Sequence, residues 1–208
     1  MLRSMGLDLT LFMADWARLG AFPVGEQADA LGDAVRPPAE DDLGWQRLVD
    51  GWNWPPGPES AWCAEYRFFG TTGSARFHSD AGRGWADMRP LVDPSVRADL
   101  DVFLGGLLWG ADEARDPALG GGDGVFPPVP GGRSGVLLVS PPGAVAERAA
   151  AWGRVGSRLE ALRGAFAAEC VGWACRPQVF EEFTALLGEW GGVTAEAARR
   201  GWGLVGLA

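Results

Sequence analysis

The stretch TAEAARRGWGLVGL, residues 194–207, decides the fold. Thr194 to Arg200 continues a helix until Gly201, which supplies the left-handed C-terminal cap that a residue without Cβ adopts at little cost. Trp202 to Leu207 then reads as an apolar strand. Three other segments have the same character. Leu7 to Met13 alternates and then runs apolar. In Ala61 to Phe69, Trp62, Ala64, Tyr66 and Phe68 fall on one face and Cys63, Glu65 and Arg67 on the other, the cleanest period of two in the chain. Gly135 to Val139 is a short buried strand. Gly70 to Ser74 has hairpin-turn chemistry, with a return strand expected at Ala75 to His78. A sheet that collects strands from the start, middle and end of the chain must have helices packed against it. The expected fold is therefore α+β, one domain over residues 1–208, with a mixed or antiparallel sheet covered by several helices.

The helices are read from caps and apolar spacing. Asp15 caps a short helical turn. Val24, Ala28, Leu31 and Val35 share one helical face, and Pro37 and Pro38 end that helix. Glu40 to Asp50 reads as a second short helix, and Gly51 to Ser60 as a loop because of Pro55, Pro56 and Pro58. Asp93 followed by Pro94 is a helix start by two signals, an N-cap acceptor and a proline at the first helical position. That helix is expected to run to about Trp109, burying Val96, Leu100, Phe103, Leu104, Leu107 and Leu108. Residues 111–134 hold six glycines and four prolines, the longest irregular segment and the one candidate for a linker. Ser140 is the expected cap of the next helix, with Pro141 and Pro142 in its first turn and an apolar stripe from Val145 to Phe166. Phe180, Phe183, Leu187 and Trp190 mark another helix, which Gly191 and Gly192 are expected to interrupt. No period of roughly 20 to 50 residues repeats, so a solenoid is not supported.

Composition narrows function more than it defines it. All 18 basic residues are arginine, and the chain has neither Lys nor Ile, as expected of a GC-rich bacterial coding sequence. Without lysine there is no Schiff base and no amine nucleophile of that kind. Residues 1–130 carry 20 acidic and 10 basic side chains against 7 and 8 in residues 131–208, so the net charge of −9 comes entirely from the first part. Such a field disfavours nucleic acid and anionic membranes, both of which call for cationic side chains, and it favours a protein partner with a basic surface. Val102 to Ala111, the longest apolar stretch, is far short of the roughly 20 residues of a membrane span. Met1 to Gly6 is not followed by the apolar run of a secretory signal. Cys63, Cys170 and Cys175 lack the spacing of a zinc site, and a reduced, cytoplasmic setting suits them.

The order of elements in the C-terminal third, an apolar strand ending in Ser-Pro, a long helix from Val145 to Phe166, and a helix running through Ala197, Ala198, Arg199, Arg200 and Gly201 into an apolar strand, resembles that of the YfbM-like family of uncharacterised bacterial proteins. The Met5–Gly6 pair adds to the likeness, which spans about the first ten residues and 135–208. The resemblance implies an α+β fold. It implies no activity, cofactor or catalytic residue, and the tryptophan-rich middle of the chain departs from it.

Candidate site residues are few. His78 is the single histidine, and Asp80 follows two residues on, so a base with an orienting carboxylate is conceivable on what reads as an exposed turn. Asp41 with Asp42, and Asp99 with Asp101, are explained by helix-surface charge, and Gly120 to Gly124 is a phosphate cradle only in glycine content. The 11 tryptophans are the compositional anomaly. Trp45, Trp52, Trp54 and Trp62 cluster around the proline-rich loop, where Trp52 and Trp54 could form a recognition platform. The expectation is a non-enzymatic interaction protein of regulatory or immunity type, binding through Trp45, Trp52, Trp54, His78 and Asp80 and needing no metal or cofactor. The alternative is an enzyme or small-molecule binder with a pocket near His78 and the tryptophan-rich loop.

Overall fold

A computed structural model describes residues 9–35, 50–55, 61–108, 124–127, 135–170, 177 and 179–207. Five strands, β1 (Thr10–Ala14), β2 (Gly51–Asn53), β3 (Cys63–Arg67), β4 (Val136–Ser140) and β5 (Gly203–Leu207), form one sheet in the order β2-β3-β1-β5-β4. Every neighbouring pair is antiparallel. The first and last strands are thus direct neighbours, with Phe12 opposite Val205, as the apolar segments at 7–13 and 202–207 led us to expect.

The pleat divides the side chains between two cores. Leu11, Met13, Ala64, Tyr66, Leu138 and Leu204 enter the larger core, while Phe12, Ala14, Cys63, Val139 and Val205 enter the smaller one on the opposite face. Alternation along each strand produces this division. In β4 a register irregularity between Val136 and Leu138 resets the alternation, as a bulge does.

The larger core is roofed by α3 (Ala75–Met88), α4 (Pro94–Leu104), α5 (Pro142–Val155), α6 (Arg163–Cys170) and α7 (Phe180–Arg200). The smaller is covered by α1 (Trp16–Gly20), α2 (Gln27–Val35) and the segment Val125–Phe126. The caps explain several boundaries. The Asp15 carboxylate accepts from the Arg18 N–H at the start of α1, and Asp93 accepts from the Ser95 and Val96 N–H groups before Pro94. Gly201 ends α7 at φ +69, the left-handed geometry anticipated for it.

Other boundaries correct the sequence-based expectations. Ala75–His78 is not a return strand but the first turn of α3, preceded by a 3-10 turn at Gly70–Gly73. Phe77, Ala81, Trp85 and Met88 keep helical spacing along its buried face, and this longer period overrides the short alternation at 75–78. Gly51–Asn53 is not loop but the outer strand β2, which pairs with β3 before the first proline of the run. α4 stops at Leu104, where Gly105 leaves helical geometry, yet Leu107 and Leu108 stay buried. The stripe from Val145 to Phe166 is not one helix: a 3-10 segment at Gly156–Leu162 separates α5 from α6. Ser140 does not cap α5; Pro141 takes the N-cap position, and the Ser140 hydroxyl accepts from Arg148 instead.

Gly191 and Gly192 do not break α7. A Cβ on Gly191 would overlap the Trp152 indole, and one on Gly156 would approach it to 2.9 Å. The glycines therefore let α5 seat a large ring against α7, which outweighs the intrinsic helix penalty of glycine of about 1 kcal/mol. Gly203 does the same for Trp16 in the smaller core. The helix expected at 40–50, apart from Asp50, and most of 111–134 lie outside the described residues.

Candidate functional site

Along the outer strand the backbone holds Trp52 opposite Tyr66, and their rings meet edge to face at 4.9 Å. Trp54 lies 6.0 Å from Trp52 and 6.4 Å from Trp202. The Arg200 guanidinium sits 4.2 Å over Trp54 and 5.1 Å from Trp202, while its Nε donates to Glu196 at 2.8 Å. Trp52, Trp54 and Trp202 are half-buried, with one side of each resting on the larger core. Strand β2 and the end of α7 thus meet in an aromatic ledge whose rings already hold one cation, an arrangement favoured by the negative face of the indole.

Carboxylates flank the ledge. Glu189 accepts from the Phe69 N–H at 3.1 Å, the Thr72 hydroxyl at 2.9 Å and the Tyr66 hydroxyl at 3.4 Å. Partial burial pushes its carboxyl above the usual range, and the charge of Asp50 adds to that rise. Burial also raises the Tyr66 phenol, with Glu189 acting in the same sense. Asp50, Arg67, Thr10 and Phe68 line an open cleft of about 430 Å³ beside β2 and β3. Glu65, fully buried, is met by Arg67 Nε at 3.0 Å.

His78 does not lie on an exposed turn. It is fully buried in α3, where the Trp190 Nε1–H donates to Nδ1 at 3.1 Å. That contact leaves the proton on Nε2, which donates to the Thr72 carbonyl at 2.6 Å. Burial drives the imidazole down to about 4, against an opposing pull from the Thr72 carbonyl, so at neutral pH the ring is uncharged and both nitrogens are engaged. Asp80 turns to Arg83 at 3.3 Å and Arg76 at 3.6 Å. Two residues apart on a helix, at about 100° each, His78 and Asp80 point to different sides and form no dyad.

The sequence candidates are nevertheless linked. Trp190 and His78 contact Phe68, Phe68 contacts Tyr66, and Tyr66 contacts Trp52. His78 is the buried end of this aromatic string and Trp54 its outer end. Trp45 lies outside the described residues, as do Asp41 and Asp42. Trp62 belongs to the opposite face, stacked on Phe22 at 5.5 Å. Sequence reasoning missed Trp202, Arg200, Tyr66 and Glu189; an arginine two residues before a tryptophan at a helix end was the one local hint.

Other reactive candidates are occupied structurally. Asp99 pairs with Arg154 at 2.8 Å, and Asp101 holds Arg89 through two bonds of 2.6 and 2.7 Å and accepts from Trp85 Nε1. Burial pushes the Cys63 thiol up to about 12, which removes it as a nucleophile at neutral pH. Among the described residues, no group of three or more His, Cys, Asp or Glu could hold a metal ion, and no helix is long and apolar enough to cross a membrane. No family model matches the chain, and no curated protein or solved structure matches it either.

Proposed function

We propose that this protein is a non-enzymatic interaction module, of regulatory or immunity type, that recognises a protein with a basic surface through the Trp52–Trp54 ledge. The observation that carries this reading is Arg200 lying over Trp54 and against Trp202: the ledge is chemically suited to a guanidinium, and a partner's arginine would meet the exposed parts of the rings with Asp50 beside them, Glu196 being held by Arg199 and Arg200. Half-buried indoles on an outer strand offer large contact area with little ordering cost, the profile of an interface anchor. The likeness to YfbM-like proteins is part of the proposal and adds no activity to it.

The test is a pull-down at low and at high salt with wild type and a Trp52→Ala/Trp54→Ala variant. A basic protein held at low salt, released at high salt and lost in the variant is the expected result. Absence of any salt-sensitive partner, or retention of one by the variant, contradicts the reading. A second reading, a small-molecule binder, is favoured by the cleft of about 430 Å³ at Asp50 and Arg67, a size within the range of ligand sites. His78 has no part in it, because its ring is enclosed in the core.

A further inference from the structure

Thr72 has one hydroxyl proton and two oxygens that call for it. Its Oγ1 lies 2.7 Å from the Phe69 carbonyl oxygen and 2.9 Å from Glu189 Oε1. Both distances are those of a full O–H···O hydrogen bond, and a hydroxyl donates only once. A carbonyl oxygen has no proton to give, so the second one has to come from the carboxyl. With Glu189 neutral, its Oε1–H donates to Thr72 Oγ1 and the Thr72 hydroxyl donates to the Phe69 carbonyl. Oε2 still accepts from the Phe69 N–H and the Tyr66 hydroxyl, and every polar atom of the cluster is then answered. With Glu189 ionised, the hydroxyl turns to one acceptor and the other contact sets one lone pair against another.

Thr72 is 6% exposed and belongs to the 3-10 turn Gly70–Gly73, whose two glycines line the open cleft of about 430 Å³. Few other bonds hold this turn. The Thr72 N–H donates to the Phe69 carbonyl at 3.1 Å, the Leu9 N–H donates to the Gly73 carbonyl at 2.9 Å, and His78 donates to the Thr72 carbonyl. The groups that face Glu189 all disfavour its charge or leave it uncompensated. Asp50, ahead of β2, is itself negative; β3 brings the Tyr66 phenol and α3 brings His78, uncharged and beyond Thr72. Among the described residues no arginine pairs with Glu189. From the proton count we infer that Glu189 is a proton-controlled latch: neutral, it locks the Gly70–Gly73 turn between β3 and α7, and on losing its proton it loosens the turn and with it that wall of the cleft. The latch makes no use of the Trp52–Trp54 ledge, and it stands or falls independently of the function proposed above.

Amide hydrogen exchange tests it, with each rate taken relative to an unstructured amide at the same pH. In the wild type the Thr72 N–H is expected to lose at least about 10-fold in protection as pH rises from about 5 to about 8, the factor that one unit of pKa shift supplies. His78, held near 4, stays uncharged over that range. In Glu189→Gln the amide nitrogen can donate to Thr72 as the neutral acid does, so protection should stay constant and exceed that of the wild type at the upper pH. Thr72→Val, with no hydroxyl to share, should lose the pH dependence, and Thr72→Ser should keep it. Constant protection in the wild type overturns the inference, as does pH dependence that persists in Thr72→Val, or a Glu189→Gln protein less protected than the wild type at the upper pH. A carbon-detected NMR titration of the Glu189 carboxyl decides the matter without any variant. The expected midpoint lies above that of an unstructured glutamate, and the Thr72 and Phe69 amide shifts follow it. A midpoint at or below that value, or amide shifts that ignore it, contradicts the latch.

Discussion

Trp190 and Trp54 carry the same side chain at the two ends of one aromatic string, and their surroundings are opposite. Trp190 is fully enclosed, and its indole N–H is answered by a histidine whose other nitrogen is also bonded. Trp54 is half-buried, rests on neighbouring rings, and meets a charged group that is itself partly exposed. Buried polar atoms call for partners because burying them unpaired costs about 1 to 3 kcal/mol. Ledge atoms can turn to water or to another protein. A count of tryptophans therefore says little about function; what surrounds each indole separates packing from recognition.

That contrast can be broken most forcefully at its buried end. Trp190→Ala removes a large enclosed ring and strands the His78 acceptor, so urea denaturation should report a loss of about 3 to 5 kcal/mol. Trp190→Phe should recover most of the packing but not the hydrogen bond. Acid sharpens the same point. Since the imidazole is held near 4 in the fold and near 6.5 in an unfolded chain, the unfolded state binds more protons between those values. Stability contributed by neutral His78 is therefore complete above pH 6.5 and declines as pH falls toward 4, by up to about 3 kcal/mol. Glu189 acts in the opposite sense, because its raised carboxyl favours the fold at low pH. The difference between wild type and His78→Gln, measured by denaturation from pH 7 to 4, isolates the histidine.

Effects should be smaller where rings meet glycine or solvent. Gly191→Ala places a methyl group in the Trp152 ring and should cost about 1 to 3 kcal/mol despite the better helix propensity of alanine, readable as a lower urea midpoint. Trp54→Ala should change stability least, by about 1 kcal/mol, because Trp54 lies at the margin of the core with part of its surface already in water.

The same local-versus-distant distinction decides how much was legible in the sequence. Cys63–Arg67 and Gly203–Leu207 were readable because their apolar periodicity lies within the segment, and Asp93–Pro94 and Gly201 because caps act over one turn. β2 was not, since three residues that begin with a glycine and run toward prolines become a strand only when β3 offers an edge. Gly191 read as an interruption because its purpose, a seat for Trp152, lies on another helix. At the site, Trp52 and Trp54 stood out by composition, whereas Trp202 and Arg200 joined them through the antiparallel return of the chain, which no local spacing records. His78 was misread for a related reason: the alternation at 75–78 suggested a return strand ending in an exposed turn, and the helical stripe extending to Met88 was overlooked.

The most direct test of the ledge is a titration with an arginine-rich peptide, followed by tryptophan fluorescence at low and high salt. Saturable quenching at low salt that weakens at high salt and vanishes in Trp52→Ala/Trp54→Ala is the predicted result. An unchanged titration in that variant, with its fold intact by circular dichroism, would contradict the account.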